Sequence, residues 1–157
     1  MASPLLFDIA DIDLAQDLGS GAGLDSTLPQ VGDFRMLDRA IWTSEDRLSG
    51  LGVKHCRADE FWAKCHIPGR PLFPGVLQIE AAAQMASWLY RTRNPNLGFI
   101  GFMRCDNVVF RGQVVPGDDF FVLVREVSAT AKRFVSDAQG VVRGKLAFEA
   151  RVTGFTM

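Results

Sequence analysis

The residues best suited to acid–base chemistry are a histidine and a glutamate fourteen positions apart, His66 and Glu80. Two Pro-Gly steps separate them, and a helical pattern follows the second step. A neutral imidazole is available as a base near pH 7, whereas a carboxyl group donates a proton at that pH only if its surroundings raise its pKa. The pair could therefore act as base and acid if the fold buries the glutamate.

A helix predicted over residues 76–90 carries Glu80. Pro74 suits the first turn of this helix, because the proline ring fixes a helical φ and removes an N–H that would lack an intrahelical partner. At about 100° per residue, Glu80 and Gln84 lie on one narrow polar line. The opposite side is apolar, with Gln78 as its one exception. A helix with so little polar surface is expected to be buried almost all round.

Glu80 has two interpretations in that setting. A buried carboxylate is costly unless it is paired, hydrogen-bonded or protonated. It could be a structural glutamate held by Gln84 and a backbone donor. It could also be an acid whose pKa is raised by desolvation, so that it donates a proton near neutral pH. The residues alone leave both interpretations open.

Composition excludes several classes of protein. The 157 residues suit one domain, and 48% of them are hydrophobic without a run of apolar residues long enough to span a membrane. A net charge of −1 argues against a nucleic-acid binder. The three cysteines are odd in number and lack paired metal-ligand spacing, and the N-terminus lacks a basic signal-peptide region. We expect a reduced, cytoplasmic protein.

The first 27 residues differ from the rest of the chain. They contain five aspartates and no Lys or Arg, and they end in a glycine-rich stretch. We predict an acidic N-terminal arm with an amphipathic piece at residues 5–18 and a flexible Gly/Ser linker. The arm could pack on a partner subunit or extend into solvent. Residues 28–157 then form the main domain.

Strand patterns dominate the remainder. Residues 34–42 could be a short strand or one helical turn, and residues 48–56 are strand-like, with Gly50 and Gly52 as bulge or close-approach positions. Further strands are predicted after the helix, with a turn at residues 115–118 and a hairpin connection at residues 137–140; the strands cover residues 98–104, 107–115, 120–127, 133–135 and 141–153. Several antiparallel strands and one long buried helix indicate an α+β fold.

The segment HIPGRPLFPGVLQIEAAAQ, residues 66–84, closely resembles the active-site segment of the 3-hydroxyacyl-acyl-carrier-protein dehydratases of type II fatty acid synthesis. Residues 28–29 and 34–39 resemble the opening segment of that family, and residues 110–118 resemble its strand ending in Val-Val-Pro-Gly-Asp. The resemblance covers about three quarters of the chain.

This resemblance implies a hot-dog fold, in which an antiparallel sheet wraps around a long central helix. It also implies a homodimer, or a hexamer built as a trimer of dimers, in which the histidine of one subunit faces the acidic residue of the other. The implied partner is an acyl carrier protein. Related enzymes that also isomerise the double bond carry an aspartate at the position of Glu80, so isomerisation is not expected.

The roles follow from the chemistry of removing water from a 3-hydroxyacyl thioester. His66 would take the C2 proton, and Glu80 would protonate the departing hydroxyl. The N–H groups of Gly75 and Val76 would bind the thioester oxygen, and Gln84 would orient the carboxyl group. No metal or other cofactor is needed. Four apolar side chains are predicted to line the acyl tunnel: Phe73, Leu77, Trp88 and Phe102.

The chain departs from the family pattern beside the histidine and near the tunnel mouth. Cys65 and Ile67 stand where the family has glycine and phenylalanine, and Gln30 begins a pair that replaces His-Arg. Of the basic residues expected to contact the carrier, Arg104 and Arg111 remain. A divergent carrier, a special acyl chain or a coenzyme A thioester would fit these changes. A hot-dog thioesterase and a non-catalytic acyl-binding subunit are the alternative functions.

Overall fold

The computed structural model describes residues 3–157, and seven antiparallel strands in it form one sheet with the order β1-β2-β3-β5-β6-β7-β4. The strands are β1 (Gly19–Ser20), β2 (Arg39–Thr43), β3 (Ser49–His55), β4 (Ile100–Phe110), β5 (Asp119–Ala129), β6 (Arg133–Val142) and β7 (Lys145–Thr156). The helices are α1 (Ala22–Asp25), a 3-10 turn at Gly32–Phe34, α2 (Phe61–Cys65) and α3 (Gly75–Arg93). This antiparallel α+β architecture is the one expected from the sequence.

Helix α3 lies against the inner face of the sheet, where it contacts β3, β5, β6, β7 and β4. It begins directly after Pro74, as predicted, and runs three residues beyond Tyr90. Its residues are buried on most sides, and Ala81, Met85 and Leu89 are fully inaccessible. The prediction of a helix buried almost all round is therefore confirmed for the body of α3.

Glycines in β3 allow the helix to approach the sheet closely. A Cβ atom on Gly52 would lie 2.6 Å from Leu37 Cδ1 and 2.7 Å from Met85 Sδ, and one on Gly50 would lie 2.9 Å from Met85 Cε. Non-bonded atoms do not approach that closely without displacement. Both positions are therefore close-approach positions, and they set the depth at which α3 rests on the sheet.

The outer face of the sheet carries a second hydrophobic cluster. Alternation along the strands sends Leu51 and Val53 of β3 outward, together with Leu123 of β5. The N-terminal arm covers these residues with four partly buried side chains: Leu6, Phe7, Ile9 and Ile12. Residues 6–12 therefore pack on the sheet of their own chain and do not extend into solvent. A contact of the arm with a partner subunit stays a prediction.

The stretch predicted to be a flexible linker is ordered. Gly19 and Ser20 pair with β2, and Leu24 on α1 is 1% exposed within the main core. The glycines indicated flexibility because the glycine backbone has few conformational restrictions. In the fold, however, the edge of β2 provides hydrogen-bond partners and the core provides a site for Leu24. That expectation was wrong for these residues.

The hairpin between the last two strands lies at Arg143 and Gly144, not at residues 137–140. Strand β6 continues through Asp137, which pairs with Arg151 of β7, as far as Val142 opposite Lys145. Arg143 and Gly144 both have positive φ, at 51° and 72°, as a two-residue hairpin turn requires. The predicted turn at residues 115–118 is confirmed by the bond from the Asp118 N–H to the Val115 carbonyl at 3.1 Å.

Strand β4 joins the two strands predicted between residues 98 and 115 into one. Its pairing with β7 shifts register twice, and Asn107, at the second irregularity, has a positive φ. β4 lies at the edge of the sheet, with one side unpaired. Within residues 3–157, no helix has the length and apolar character needed to cross a membrane.

Candidate active site

Glu80 projects from α3 into a cavity of about 40 Å³ between the helix and the sheet. The cavity wall includes Gln84, Phe102, Phe134 and Gln30. Burial raises the pKa of the Glu80 carboxyl, and a hydrogen bond from Gln84 partly opposes that effect. A carboxyl group with a raised pKa can remain protonated at higher pH than an exposed one, as an acid catalyst must.

Gln84 is held by three hydrogen bonds that fix the orientation of its amide. Its Nε2 donates to Glu80 Oε1 at 2.9 Å and to the Phe34 carbonyl at 2.8 Å, while its Oε1 accepts from the Met36 N–H at 2.9 Å. The side chain is 1% exposed. A buried amide with every polar atom satisfied cannot rotate without losing these bonds, so Gln84 fixes one oxygen of Glu80.

His66 follows α2 and begins the loop that leads to α3. Its Nδ1 lies 3.0 Å from the Leu72 carbonyl oxygen. Because a carbonyl only accepts hydrogen bonds, Nδ1 carries the proton in the neutral ring, and the lone pair is on Nε2. The ring is exposed in the protomer. This tautomer leaves Nε2 available as a base.

The loop between His66 and α3 is tethered at Phe73. The Phe73 N–H donates to the Val114 carbonyl at 2.8 Å, and the Phe73 carbonyl accepts from Gln78 Nε2 at 3.1 Å. Gln78, the one polar residue on the apolar side of the helix, is 4% exposed. A lone polar residue on an apolar helix side is a signal for a buried hydrogen bond, but the contact of Gln78 with Phe73 was not predicted from the sequence.

A buried lysine anchors the start of α2, the helix before His66. Lys54 is 1% exposed, and its Nζ lies 2.7 Å from Glu60 Oε2 and 3.5 Å from Asp38 Oδ2. Glu60 is the residue that precedes α2, and His66 follows α2 at its other end. Removal of one partner from a buried ion pair leaves an uncompensated buried charge and strongly destabilises the fold. Lys54 therefore fixes the start of α2, the helix that His66 follows. Sequence reasoning missed this contribution.

The start of α3 presents two N–H groups without intrahelical partners, those of Gly75 and Val76. No side chain of the described residues caps this end. A Cβ atom on Gly75 would lie 2.6 Å from Phe110 Cζ, so only glycine leaves room for that ring. Val76 is 72% exposed in the protomer. The helix start is thus open to a ligand or to another chain.

The cavity brings together some of the predicted residues and leaves others apart. Glu80, Gln84 and Phe102 share it, whereas His66 is not among the described residues that line it. Phe73, Leu77 and Trp88 lie in the main core instead. Their predicted role as tunnel residues gains no support from this cavity and stays a prediction.

The two arginines predicted to contact a carrier are both ion-paired. Arg104 Nε lies 2.8 Å from Asp106 Oδ2, and Arg111 lies beside Glu149. By contrast, Lys64 and Arg70 are exposed, lie on either side of His66 in the sequence, and form no salt bridge with the described residues. The unopposed positive charge near the candidate base is therefore on Lys64 and Arg70.

Comparison with known proteins places this geometry in a family. A family model for the FabA-like domain matches residues 28–151. The chain belongs to the FabA-like domain family. The 3-hydroxyacyl-[acyl-carrier-protein] dehydratase FabZ of Rhizobium rhizogenes (strain K84 / ATCC BAA-868) is 38% identical over 129 residues, which cover 80% of each chain. FabZ of Streptococcus suis (strain 98HAH33) is 34% identical over 131 residues, covering 83% of this chain and 92% of the relative.

Solved structures agree on the fold of this FabA-like domain. The dehydratase heterocomplex ApeI:P from Xenorhabdus doucetiae aligns with a TM-score of 0.72 at 14% identity, covering 85% of this chain and 90% of the other. A mutant of the thioesterase PA1618 from Pseudomonas aeruginosa aligns with a TM-score of 0.67 at 15% identity, covering 92% of this chain and 99% of the other. The expected hot-dog fold is confirmed.

Gln30 is a residue of this FabA-like domain whose place in the cavity the sequence did not reveal. In the sequence, Gln30 is only a departure from the His-Arg pair of the dehydratases that the chain resembles. Its side chain lines the same cavity as Glu80, and its Oε1 is buried without a hydrogen-bond partner among the described residues. The long sequence separation between Gln30 and Glu80 left no periodicity from which their proximity could be predicted.

Proposed function

We propose that this chain removes water from 3-hydroxyacyl thioesters bound to acyl carrier protein and forms trans-2-enoyl thioesters. The observation that carries the proposal is Glu80, a half-buried carboxyl group with a raised pKa, held by Gln84 beside a partly apolar cavity. The FabZ relatives, at 33–38% identity, bear names that specify this reaction and support it.

In this mechanism His66 Nε2 takes a proton from C2 of the acyl chain. Electrons from the broken C2–H bond form the C2=C3 double bond as the C3–O bond breaks. Glu80 donates its proton to the departing hydroxyl, which leaves as water. The Nδ1 hydrogen bond to Leu72 supports the base role of His66, and desolvation of Glu80 supports its role as the acid.

The thioester oxygen becomes more negative as the C2 proton leaves. The free N–H groups of Gly75 and Val76 at the start of α3 would stabilise that charge, and the positive end of the helix dipole adds to their effect. Gly75 has no side chain to block the approach of the thioester oxygen, although the Phe110 ring fills the space on the sheet side of Gly75. Gln84 orients the acid from the next turn of the helix.

The complete site requires two protomers. Among the described residues, His66 is not part of the wall of the Glu80 cavity, and strand β4 has an unpaired edge. Four large apolar side chains on or beside this edge strand are about half exposed or more: Phe99, Phe102, Met103 and Phe110. Burial of such a surface favours a homodimer, in which the partner's His66 would approach Glu80. Assembly into a hexamer stays a prediction.

An acyl carrier protein is the proposed partner, with a coenzyme A thioester as the alternative acyl donor. The exposed Lys64 and Arg70 near His66 would attract an acidic carrier. A cytoplasmic location is part of the same proposal, and the three free cysteines are consistent with a reducing compartment.

A turnover assay with 3-hydroxyacyl thioesters of graded length, carried on acyl carrier protein or coenzyme A, tests the proposal. We expect absorbance from the conjugated enoyl thioester, with a rate lowered about 100- to 10,000-fold by His66→Ala or Glu80→Gln. Release of free thiol without enoyl product would instead identify a thioesterase. The absence of both products would indicate an acyl-binding subunit.

A further inference from the structure

The Gln30 amide presents an acceptor for which the described residues provide no donor. Its Oε1 is buried, lacks a hydrogen-bond partner among the described residues, and belongs to a side chain in the wall of the Glu80 cavity. Buried acceptors are nearly always paired, because an unpaired one loses its bonds to water and gains nothing in return. The orphan acceptor beside a candidate proton donor therefore leaves a position in the cavity that a donor group, from a ligand or from water, would fill.

The neighbouring side chain cannot provide this missing donor. Both amide hydrogens of Gln84 are already used, one by Glu80 and one by the Phe34 carbonyl, and its oxygen accepts from Met36. The backbone of Gln30 is also fixed, because Arg35 Nε donates to the Gln30 carbonyl at 2.8 Å. The backbone from which the Gln30 amide extends is thus anchored before any ligand arrives.

We propose that Gln30 Oε1 accepts a hydrogen bond from the 3-hydroxyl group of the acyl substrate. This inference rests on the proposed function and names the residue that distinguishes hydroxylated from unsubstituted acyl chains. The hydroxyl hydrogen points to Gln30. In this orientation a lone pair of the hydroxyl oxygen faces the proton of Glu80. Gln30 itself neither gains nor loses a proton when the C3–O bond breaks and water leaves.

An amide is well suited to this role beside an acid. Its oxygen does not ionise, so it does not compete with Glu80 for the transferred proton, and its dipole favours a donor such as a hydroxyl group. The saturated acyl chain lacks that donor and would leave Gln30 unpaired. A site with a buried unpaired acceptor discriminates against a ligand that cannot satisfy it.

Binding of two stable pantetheine amides tests the inference without turnover. One carries a 3-hydroxybutyryl group and the other a butyryl group, and affinity is measured by titration calorimetry. We expect the wild-type chain to prefer the hydroxylated compound about tenfold, as one buried hydrogen bond predicts. Gln30→Met, which keeps the length of the side chain and removes the amide, should abolish this preference and leave butyryl binding within about twofold.

Gln16→Met is the matched control, because it makes the same chemical change at an exposed position on the arm. It should retain the wild-type preference. Urea unfolding should show Gln30→Met to be at least as stable as wild type, since the variant removes an unpaired buried acceptor. Equal affinity of wild type for both compounds, or an undiminished preference in Gln30→Met, would overturn the inference.

Turnover separates this inference from the proposed function. A chain that prefers the hydroxylated compound through Gln30 but forms no enoyl product would retain the Gln30 assignment and refute the dehydratase proposal. If the chain forms enoyl product and Gln30→Met keeps the preference for the hydroxylated compound, the dehydratase proposal stands and the Gln30 assignment is refuted. In an active enzyme, Gln30→Met should raise KM for the 3-hydroxyacyl substrate about tenfold, as loss of one hydrogen bond predicts.

Discussion

Gln84 Nε2 donates a hydrogen bond to Glu80 Oε1 at 2.9 Å, one helical turn along α3. This contact favours the ionised carboxylate, whereas burial favours the neutral acid, and burial has the larger effect on the pKa. The carboxyl group is therefore oriented by a bond that does not remove its capacity to carry a proton. The Gln84 bond fits both interpretations of Glu80, and the raised pKa of the carboxyl group favours the acid.

The titration of Glu80 should appear in the pH dependence of stability. Its pKa in the folded chain lies above the ordinary value of 4.5, so the unfolded chain ionises first as pH rises. Stability contributed by the protonated group is complete below the unfolded pKa and is lost as pH rises through the folded pKa. Glu80→Gln should therefore gain in free energy of unfolding relative to wild type as pH rises across this window, measured by urea denaturation.

Glu149 provides a control of opposite sign. Its hydrogen bond with Arg111 lowers the pKa of the Glu149 carboxyl, so its contribution is present above the unfolded pKa and is lost as pH falls. Glu149→Gln should fall in relative stability as pH rises. Parallel pH profiles for wild type and Glu80→Gln would contradict a desolvated Glu80.

Close packing of α3 on β3 predicts a cost for a side chain at Gly52. In Gly52→Ala the new methyl group would meet Leu37, Met85 and the Arg39 carbonyl oxygen at 3.2 Å or less. We expect the free energy of unfolding to fall by about 1–3 kcal/mol, as is usual for overpacking. Gly23→Ala, at a helical position with nothing within 4 Å, is the control and should be neutral or slightly stabilising. Equal stability of the two variants would show that α3 does not rest this closely on β3.

The packing of the arm predicts that Phe7 contributes to stability. Its ring lies 5.2 Å from that of Trp42, and Gln139 bonds the arm through the Leu6 N–H and the Pro4 carbonyl. Phe7→Ala should lower the free energy of unfolding by about 1–3 kcal/mol, because apolar surface returns to water. Leu18→Ala, at a half-exposed position, should change it by about 0.5 kcal/mol or less. No loss in Phe7→Ala would mean that the arm does not cover the sheet in solution.

Charge near His66 predicts where an acidic carrier binds. The double variant Lys64→Glu, Arg70→Glu should raise KM for carrier-bound substrate at low salt and leave turnover of a short pantetheine thioester nearly unchanged. Arg104→Glu with Arg111→Glu should have a smaller effect, since the guanidinium groups of these arginines are already bound by Asp106 and Glu149 and would not contact the carrier. A larger effect from the second pair would restore Arg104 and Arg111 as the carrier contacts.

Local patterns were sufficient to predict the central helix. Pro74 and the unbroken apolar run after it located α3, and the narrow polar line located Glu80 and Gln84 together. The same patterns failed where a tertiary contact decided the outcome. The glycines around residue 20 indicated flexibility, but the free edge of β2 and the core site for Leu24 order them.

The rest of the site lay beyond local patterns for a physical reason. The Gln30 amide meets the Glu80 cavity only after the chain has folded, and no periodicity relates positions that far apart. Arg143 escaped prediction as a turn residue because an arginine rarely has a positive φ, while Asp137 and Gly140 are residue types common in turns. The spacing of His66 and Glu80 within one chain likewise contains no information about a partner subunit.

Mixing two inactive variants tests the central claim most directly. His66→Ala and Glu80→Gln chains, unfolded together and refolded in equal amounts, should form mixed dimers that each retain one intact pair of His66 and Glu80. The account predicts recovery of about a quarter of wild-type dehydration of a carrier-bound 3-hydroxyacyl substrate. A mixture no more active than either variant alone, with mixed dimers verified by native mass spectrometry, would contradict a site shared between protomers.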